Sequence, residues 1–490
     1  MNFFLENIEK SRRDVAGNTK REYKAALGQF MTPMETAVFM ASLLESKETN
    51  VRLLDPCGGL GALVCAAVDK WLSEGLEPKS VYATVFEIDE RLIPHLALIQ
   101  ADLQGGGVNV DLHSQDYLGV ARAQILKGRV SYTHAILNPP YKKIGPSSGA
   151  ARMAKDCGVH AANLYSAFVG MALEQLELGG QLVAIIPRSF CNGVYHQAFR
   201  EHILDRAAIK RIHSFESRYA PFKDDDVLQE SVIILLEKGG LQGDIGLSSS
   251  KEDIFNDINI RNVSFEEVVL PEDPQKFVHI PLERELLRLA NLNGRCKLEK
   301  LGVSVSTGPV VSFRTIEHQT DRRSSRSAPM IYSRNIVDQS VEWPTERHSK
   351  KRRLKINRLT GGLLFPMGVY VIVKRLSPKE SKRRIVAALV QPTNFDGETH
   401  LAFDNGLNVL HARKSSLEPC LAAGLWAYLN SKCVDQYFRS FNGHTQVNAA
   451  DLNSLPYPSL ERLRVLGDAI INAKFDFLRI DDLVLDTLGL

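Results

Sequence analysis

The chain has 490 residues, 44% of them hydrophobic and 24% charged, which excludes fibrous repeats and extended disorder and leaves room for two domains with separate cores. A formal net charge of +3 is too small by itself to point to an anionic partner. The seven cysteines are scattered, with neither a C-x-x-C pair nor a histidine at zinc spacing, so no disulfide framework and no metal site is expected, and a reducing cytoplasm fits best. No apolar run approaches the ~20 residues that span a bilayer, so neither a membrane nor export is expected.

Residues 1–27 read as a helical N-terminal arm, broken at Gly28 ahead of "GQFMTP". From about 50 to 240, short β-rich runs alternate with helical patterns. This predicts an α/β fold over 28–244, a doubly wound, mostly parallel, seven-stranded Rossmann-like sheet. Strands are expected near 51, 81, 108, 133, 181, 209 and 231, and a helix from 162 is expected to stop at Gly179-Gly180. "EKGGLQGDIG", at 237–246, reads as the end of that domain. Residues 245–490 are expected to form a second region of mixed α/β content.

"LLDPCGGLGALVCAA" brings Asp55 to the tip of the first strand, with Gly58, Gly59 and Gly61 in the turn before a helix. In an open α/β sheet a nucleotide-like ligand sits there, because glycines let it approach the backbone closely. An acidic tip repels the pyrophosphate that a dinucleotide fingerprint would hold. It suits S-adenosylmethionine, which has no phosphate and carries a sulfonium and an ammonium; a ligand-free tight turn is the plainer reading of this motif alone. "FEID" brings Glu87 to a second tip, where a carboxylate can accept from both ribose hydroxyls, and "SQDYL" brings Asp116 to a third, within reach of an adenine amino group.

The fourth strand ends at "ILNPPY". Pro139 and Pro140 fix φ at consecutive positions, remove two backbone donors and keep Asn138 out of helical geometry. The Asn138 side-chain oxygen and the Pro139 carbonyl then form two convergent acceptors, which suit an NH2 group on a planar, conjugated system. Tyr141 would lie against the flat face of that system. Positioning of this kind supplies ~7–11 kcal/mol of a barrier without a strong general base. A rigid strand-ending turn with a surface tyrosine is the plainer alternative.

Taken in order, "GQFMTP", "DPCGGLGAL", "FEID", "QDYL" and "NPPY" resemble the motifs of gamma-class N6-adenine DNA methyltransferases, the TaqI-like modification enzymes of restriction-modification systems. The resemblance covers residues 25 to 240. It implies that Phe30, Thr32 and Pro33 line the methionine end of S-adenosylmethionine, with Asp55, Gly59 and Gly61 beneath it. Glu87 and Ile88 would flank ribose and adenine, and Asp116 with Tyr117 would hold the adenine edge. Asn138, Pro139, Pro140 and Tyr141 would hold the target adenine, flipped out of double-stranded DNA, and Phe222 would supply a second stacking aromatic. Cys57 and Leu60 depart from the small residues commoner in the first motif. "KKIGPSSGAARMAKDCGVHAA" is a long insertion after the fourth strand, read as a lid, a DNA-contacting loop or a disordered solvent loop.

Residues 425–458 resemble the target-recognition regions of such enzymes: a helix, a turn at Asn442-Gly443-His444, then a polar strand leading to Pro456. Arg322, Arg323, Arg326 and the run "RHSKKRRLKINR" at 347–358 are read as phosphate contacts that position a duplex, with a solvated surface as the alternative. The whole implies a type II modification enzyme that acts as a monomer, its cognate endonuclease a separate protein without direct contact. The rival reading is a protein-glutamine or RNA N-methyltransferase using the same N-P-P-Y chemistry.

Overall fold

Strand β1 (Val51–Asp55) buries Val51, Leu53, Leu54 and Asp55 and leaves only Arg52 part-exposed, as befits the centre of a parallel sheet covered on both faces. In the computed structural model, residues 9, 12, 28, 30–45, 50–216, 230–251, 255, 258–282, 289, 295–345, 351–474 and 479–489 are described. They fall into two compact units, Met1–Leu282 and Glu283–Leu490.

In the first unit, helix α1 (Met34–Ser42) precedes β1. After it come α2 (Ala62–Ser73), β2 (Val81–Phe86), α3 (Ile93–Gly105), β3 (Asn109–His113), α4 (Tyr117–Ile125) and β4 (Tyr132–Leu137). Then follow α5 (Gly149–Asp156), α6 (Leu164–Glu174), β5 (Leu176–Pro187), α7 (Gln197–Arg206), β6 (Ala207–Phe215), β7 (Ser231–Lys238), β8 (Ile245–Ser250) and β9 (Arg261–Val263). The sheet order is β3-β2-β1-β4-β5-β7-β6-β8-β9. Strands β1 to β5 pair in parallel, and β7 runs antiparallel between β5 and β6. The doubly wound, mostly parallel sheet and its seven expected strands are therefore present. Strand order reverses between β1 and β4, which opens a crevice at their C-terminal ends.

Two expectations are corrected here. The boundary at 244 falls inside the sheet, because β8 pairs in parallel with β6 and β9 pairs with β8. Ile245 and Leu247 are fully buried, so the glycine-rich stretch before them is a tight connection and not a linker. Helix α6 stops at Glu174, and Gly179-Gly180 lie within β5 where its register against β4 shifts. A Cβ at Gly180 would sit 2.9 Å from Glu177 O and 3.0 Å from Thr133 O, so the glycines serve a bulge rather than a helix cap. The insertion after β4 is ordered: Ile144 N donates to Ala162 O at 3.3 Å, Leu164 N to Lys142 O at 2.8 Å, and α5, capped by Ser148, buries Ala151 and Ala154. Of the expected N-terminal arm, only Glu9 and Arg12 belong to the described residues, and both are helical.

The second unit holds a six-stranded and a five-stranded sheet. Its strands are β10 (Ser304–Thr307), β11 (Gln319–Thr320), β12 (Ser327–Ile331), β13 (Ile336–Val337), β14 (Ser340–Val341), β15 (Arg353–Lys355), β16 (Leu364–Pro366), β17 (Tyr370–Lys374), β18 (Ala387–Val390), β19 (His400–Phe403) and β20 (Leu407–His411). Helices α8 (Pro419–Asn430), α9 (Lys432–Phe441), α10 (Ala449–Ser454), α11 (Leu460–Asn472) and α12 (Ile480–Leu488) follow. Helices α8 and α11 touch backbone to backbone at Gly424 and Gly467, where a Cβ would collide with Leu463 O and Cys420 O. The polar strand expected before Pro456 is helix α10 instead, started by a reciprocal cap between Asn448 and Asp451. Among the described residues no helix is long and apolar enough to cross a membrane.

Candidate active site

The crevice between β1 and β4 opens into a cleft of about 880 Å³ of empty space, partly open to solvent. Behind it, Asp55 is completely buried; its Oδ1 accepts from Cys57 N at 3.2 Å, while its Oδ2 is buried without a hydrogen-bond partner. Burial pushes its pKa up to about 7, the nearby Glu87 adds to the rise, and the Cys57 amide opposes it. An orphaned carboxylate oxygen there is matched by a ligand that brings a donor or positive charge.

The turn after Asp55 can be built only with glycine. Gly59 (φ 56°) and Gly61 (φ 79°) are left-handed, and a Cβ on Gly58 would strike Val85. The freed Gly59 amide donates to Glu87 Oε2 at 2.8 Å, and Ile88 N and Asp89 N both donate to its Oε1 at 2.8 Å. Burial raises the Glu87 pKa against these amide bonds. Ile88, 63% exposed, covers the rim. Asp116 caps α4 by accepting from Leu118 N at 3.1 Å and faces the cleft. Tyr117 follows it in the cleft lining, with its buried hydroxyl donating to Gln175 Oε1 at 2.7 Å.

At the end of β4, Asn138 Nδ2 donates to Phe30 O at 2.8 Å and to Thr32 Oγ1 at 3.0 Å. A carbonyl oxygen can only accept, so these bonds fix which end of the amide is nitrogen and leave Oδ1 as the acceptor on the other side. The segment "FMTP" thus orients the asparagine. Cys57 Sγ donates to Asn138 O at 3.2 Å, tying the glycine turn to the same residue. Tyr141 is held at both ends, its N donating to Gly28 O at 3.0 Å and its hydroxyl to Ile185 O at 3.0 Å. Its ring centroid lies 5.3 Å from that of Phe30.

Phe30, Thr32, Gly59, Glu87, Ile88, Asp116, Tyr117, Asn138 and Pro140 line one cleft. Asp55, Gly61, Pro139 and Tyr141 stand behind or beside these residues, and Pro33 caps α1. Phe222 lies outside the described residues. Sequence reasoning missed Arg12, Gln115 and Phe168, which also line the cleft, and treated Cys57 only as a departure. Gln115 was within reach, standing beside Asp116 in a motif already singled out. The three acids, the room beside Gly59 and the orphaned Asp55 oxygen fit S-adenosylmethionine. Asp55 would face its positive groups, Glu87 its ribose and Asp116 its adenine.

In the second unit the basic run divides. Arg353 is buried, with Nη1 and Nη2 donating to the Glu398 carboxylate at 3.0 and 2.7 Å, and Nε to Ser327 Oγ at 2.8 Å. Its role is to hold β12 and β15 together, which corrects its reading as a phosphate contact. Arg323, itself exposed, reaches the same carboxylate at 3.1 Å, and Arg322, Arg326, Arg352 and Arg358 are exposed as well. Residues 346–350 lie outside the described residues.

An Eco57I restriction-modification methylase family model matches residues 111–222. The type II methyltransferase M.BsuBI of Bacillus subtilis is 41% identical over 96% of this chain and 95% of that protein. The type II methyltransferase M.PstI of Providencia stuartii is 38% identical over 100% of this chain and 98% of that protein. Among solved structures, the type IIL restriction-modification enzyme MmeI in complex with DNA shares the fold, with a TM-score of 0.53 at 11% identity, over 99% of this chain and 72% of that one. With near full-length relatives above 30% identity, the chain belongs to the type II DNA methyltransferases of restriction-modification systems.

Proposed function

We propose that the protein transfers a methyl group from S-adenosylmethionine to N6 of an adenine flipped out of double-stranded DNA, as the modification enzyme of a type II restriction-modification system. The observation that carries this reading is the Asn138 amide, whose nitrogen is committed to Phe30 O and Thr32 Oγ1. Its oxygen is thereby left as an acceptor on a residue that lines the cleft, where it would act together with the carbonyl of Pro139, the next residue in the chain.

Two acceptors bind both hydrogens of an exocyclic NH2 and leave its lone pair turned toward the cofactor side. When bound, S-adenosylmethionine supplies an activated methyl on a positively charged sulfur. Asn138 Oδ1 and Pro139 O stabilise the positive charge that grows on the attacking nitrogen, and the surplus proton leaves to solvent. Tyr141, fixed at its amide and hydroxyl, keeps its ring plane for stacking worth ~1–3 kcal/mol per base. That offsets part of the few kcal/mol that extrusion costs. Adenine is favoured over cytosine by the gamma-class motif order. The exposed arginines of the second unit would contact phosphates and set register without reading bases. One chain with both catalytic and recognition parts supports action as a monomer, with a separate endonuclease.

Incubation with methyl-labelled S-adenosylmethionine and unmodified duplex DNA tests the reading. Wild type should label the DNA and Asn138→Ala should not. Label confined to protein or RNA would contradict it.

A further inference from the structure

We propose that Tyr195, with Val194 beside it, enters the duplex and fills the space that the extruded adenine leaves, an inference that rests on the base-flipping reading above. Tyr195 is 83% exposed and Val194 56%. Two adjacent apolar side chains held out into water at the edge of a catalytic domain mark a contact surface. They sit on the short helical turn Val194–His196, in the segment that leaves β5 at Pro187. Because β5 runs parallel to β4, with Leu137 opposite Ala184, that segment emerges on the same edge of the sheet as Asn138 and Tyr141.

The turn is pinned from both sides. The buried Arg200 donates through Nη1 to Phe190 O at 2.9 Å and to Asn192 O and Gly193 O at 3.1 Å each, while its Nε and Nη2 donate to Gln275 O at 3.0 and 2.7 Å. Gly193 takes φ 79° there, a conformation that a side chain would strain. Beyond the exposed pair, His196 stacks on Tyr165 with ring centroids 6.1 Å apart, and the Tyr165 hydroxyl hydrogen-bonds His196 Nδ1 at 3.3 Å. Tyr165 in turn meets Tyr141 edge to face at 6.2 Å. Two ring contacts thus tie the exposed pair to the tyrosine that would stack on the target base. Lys143, exposed and two residues beyond Tyr141, bridges to Asn163 at the start of α6, so a cation belongs to the same rim. A cation for phosphates next to a rigid apolar tip matches duplex DNA, whose base steps are wedged open by inserted apolar side chains. Extrusion unstacks the neighbours of the target, and the Tyr195 ring returns a stacking surface to them.

The test uses the full chain and synthetic duplexes bearing the site mapped from DNA that it has methylated. One duplex is fully paired; the other has an abasic position opposite the target adenine, so that extrusion breaks no base pair. Single-turnover transfer of labelled methyl is timed on both. Tyr195→Ala should slow the paired duplex by about ten- to a hundred-fold, the range for one lost stacking contact, and stay within a few-fold of wild type on the abasic one. Tyr195→Phe, which keeps the ring, should match wild type on both. Because the readout is a ratio of two rates within each variant, a partly destabilised protein still reports. An equal loss on both duplexes, or no loss on the paired one, would overturn the proposal. A wild type that methylates no DNA, so that no site can be mapped, would instead sink the methylation reading and this inference with it.

Discussion

Asn138 and Asp55 carry the sharpest consequences at the scale of single residues. In Asn138→Asp one oxygen still faces the cleft, but the other meets Phe30 O, where only a donor fits. Both Asn138→Asp and Asn138→Ala should therefore lower the rate of transfer by about 10²–10³-fold, while cofactor affinity measured by calorimetry stays within a few-fold. Asp55, with a pKa raised from 3.8 to about 7 by burial, binds its proton more tightly folded than unfolded. Its contribution to stability is fully present below about pH 4 and is lost as pH rises through about 7, by a few kcal/mol at most. Asp55→Asn should accordingly raise the melting temperature of the free protein at pH 8 and weaken S-adenosylmethionine binding; a variant that melts lower at pH 8 would contradict this. The strand-tip acids and the asparagine were legible because each ends an apolar run within a short motif. Cys57 with Asn138, 81 residues apart, and Tyr117 with Gln175, 58 apart, were not, since those bonds exist only once the chain is folded.

Elements obey the same division between local pattern and tertiary contact. Seven of the nine strands of the first unit's sheet could be read from apolar runs, yet β8 and β9 were left outside it, because a glycine-rich turn looks alike whether it links domains or joins β7 to β8. Gly179-Gly180 misled in a similar way: a helix stop and a strand bulge both call for glycine, and only pairing with β4 separates them. Gly180→Ala should cost about 1–3 kcal/mol, since its Cβ meets two backbone oxygens that cannot give way cheaply. Gly424→Ala should cost at least as much by forcing α8 off α11; thermal melting reads both. Arg353→Met breaks a buried pair with Glu398, for which about 3 kcal/mol is expected, at the low end because Arg323 reaches the same carboxylate. A melting temperature unchanged in Arg353→Met would return that side chain to the surface.

For the whole molecule, phosphate contact predicts how DNA affinity responds to salt. Neutralising exposed Arg322 or Arg352 should lower the slope of log K against log salt by roughly 1 each, with melting unchanged, because fewer counterions are released. A slope that does not move would leave these side chains merely solvated. Charge runs were the least legible feature, since "KKRR" gives no sign that its last arginine is buried in β15 while the one before it is exposed. The central claim, that the asparagine-proline site holds an adenine, is tested most directly by the identity of the methylated base. DNA modified by the protein with labelled S-adenosylmethionine is digested to nucleosides and resolved chromatographically. The label should elute as N6-methyldeoxyadenosine; label in a methylated deoxycytidine, or none in DNA, would contradict the account.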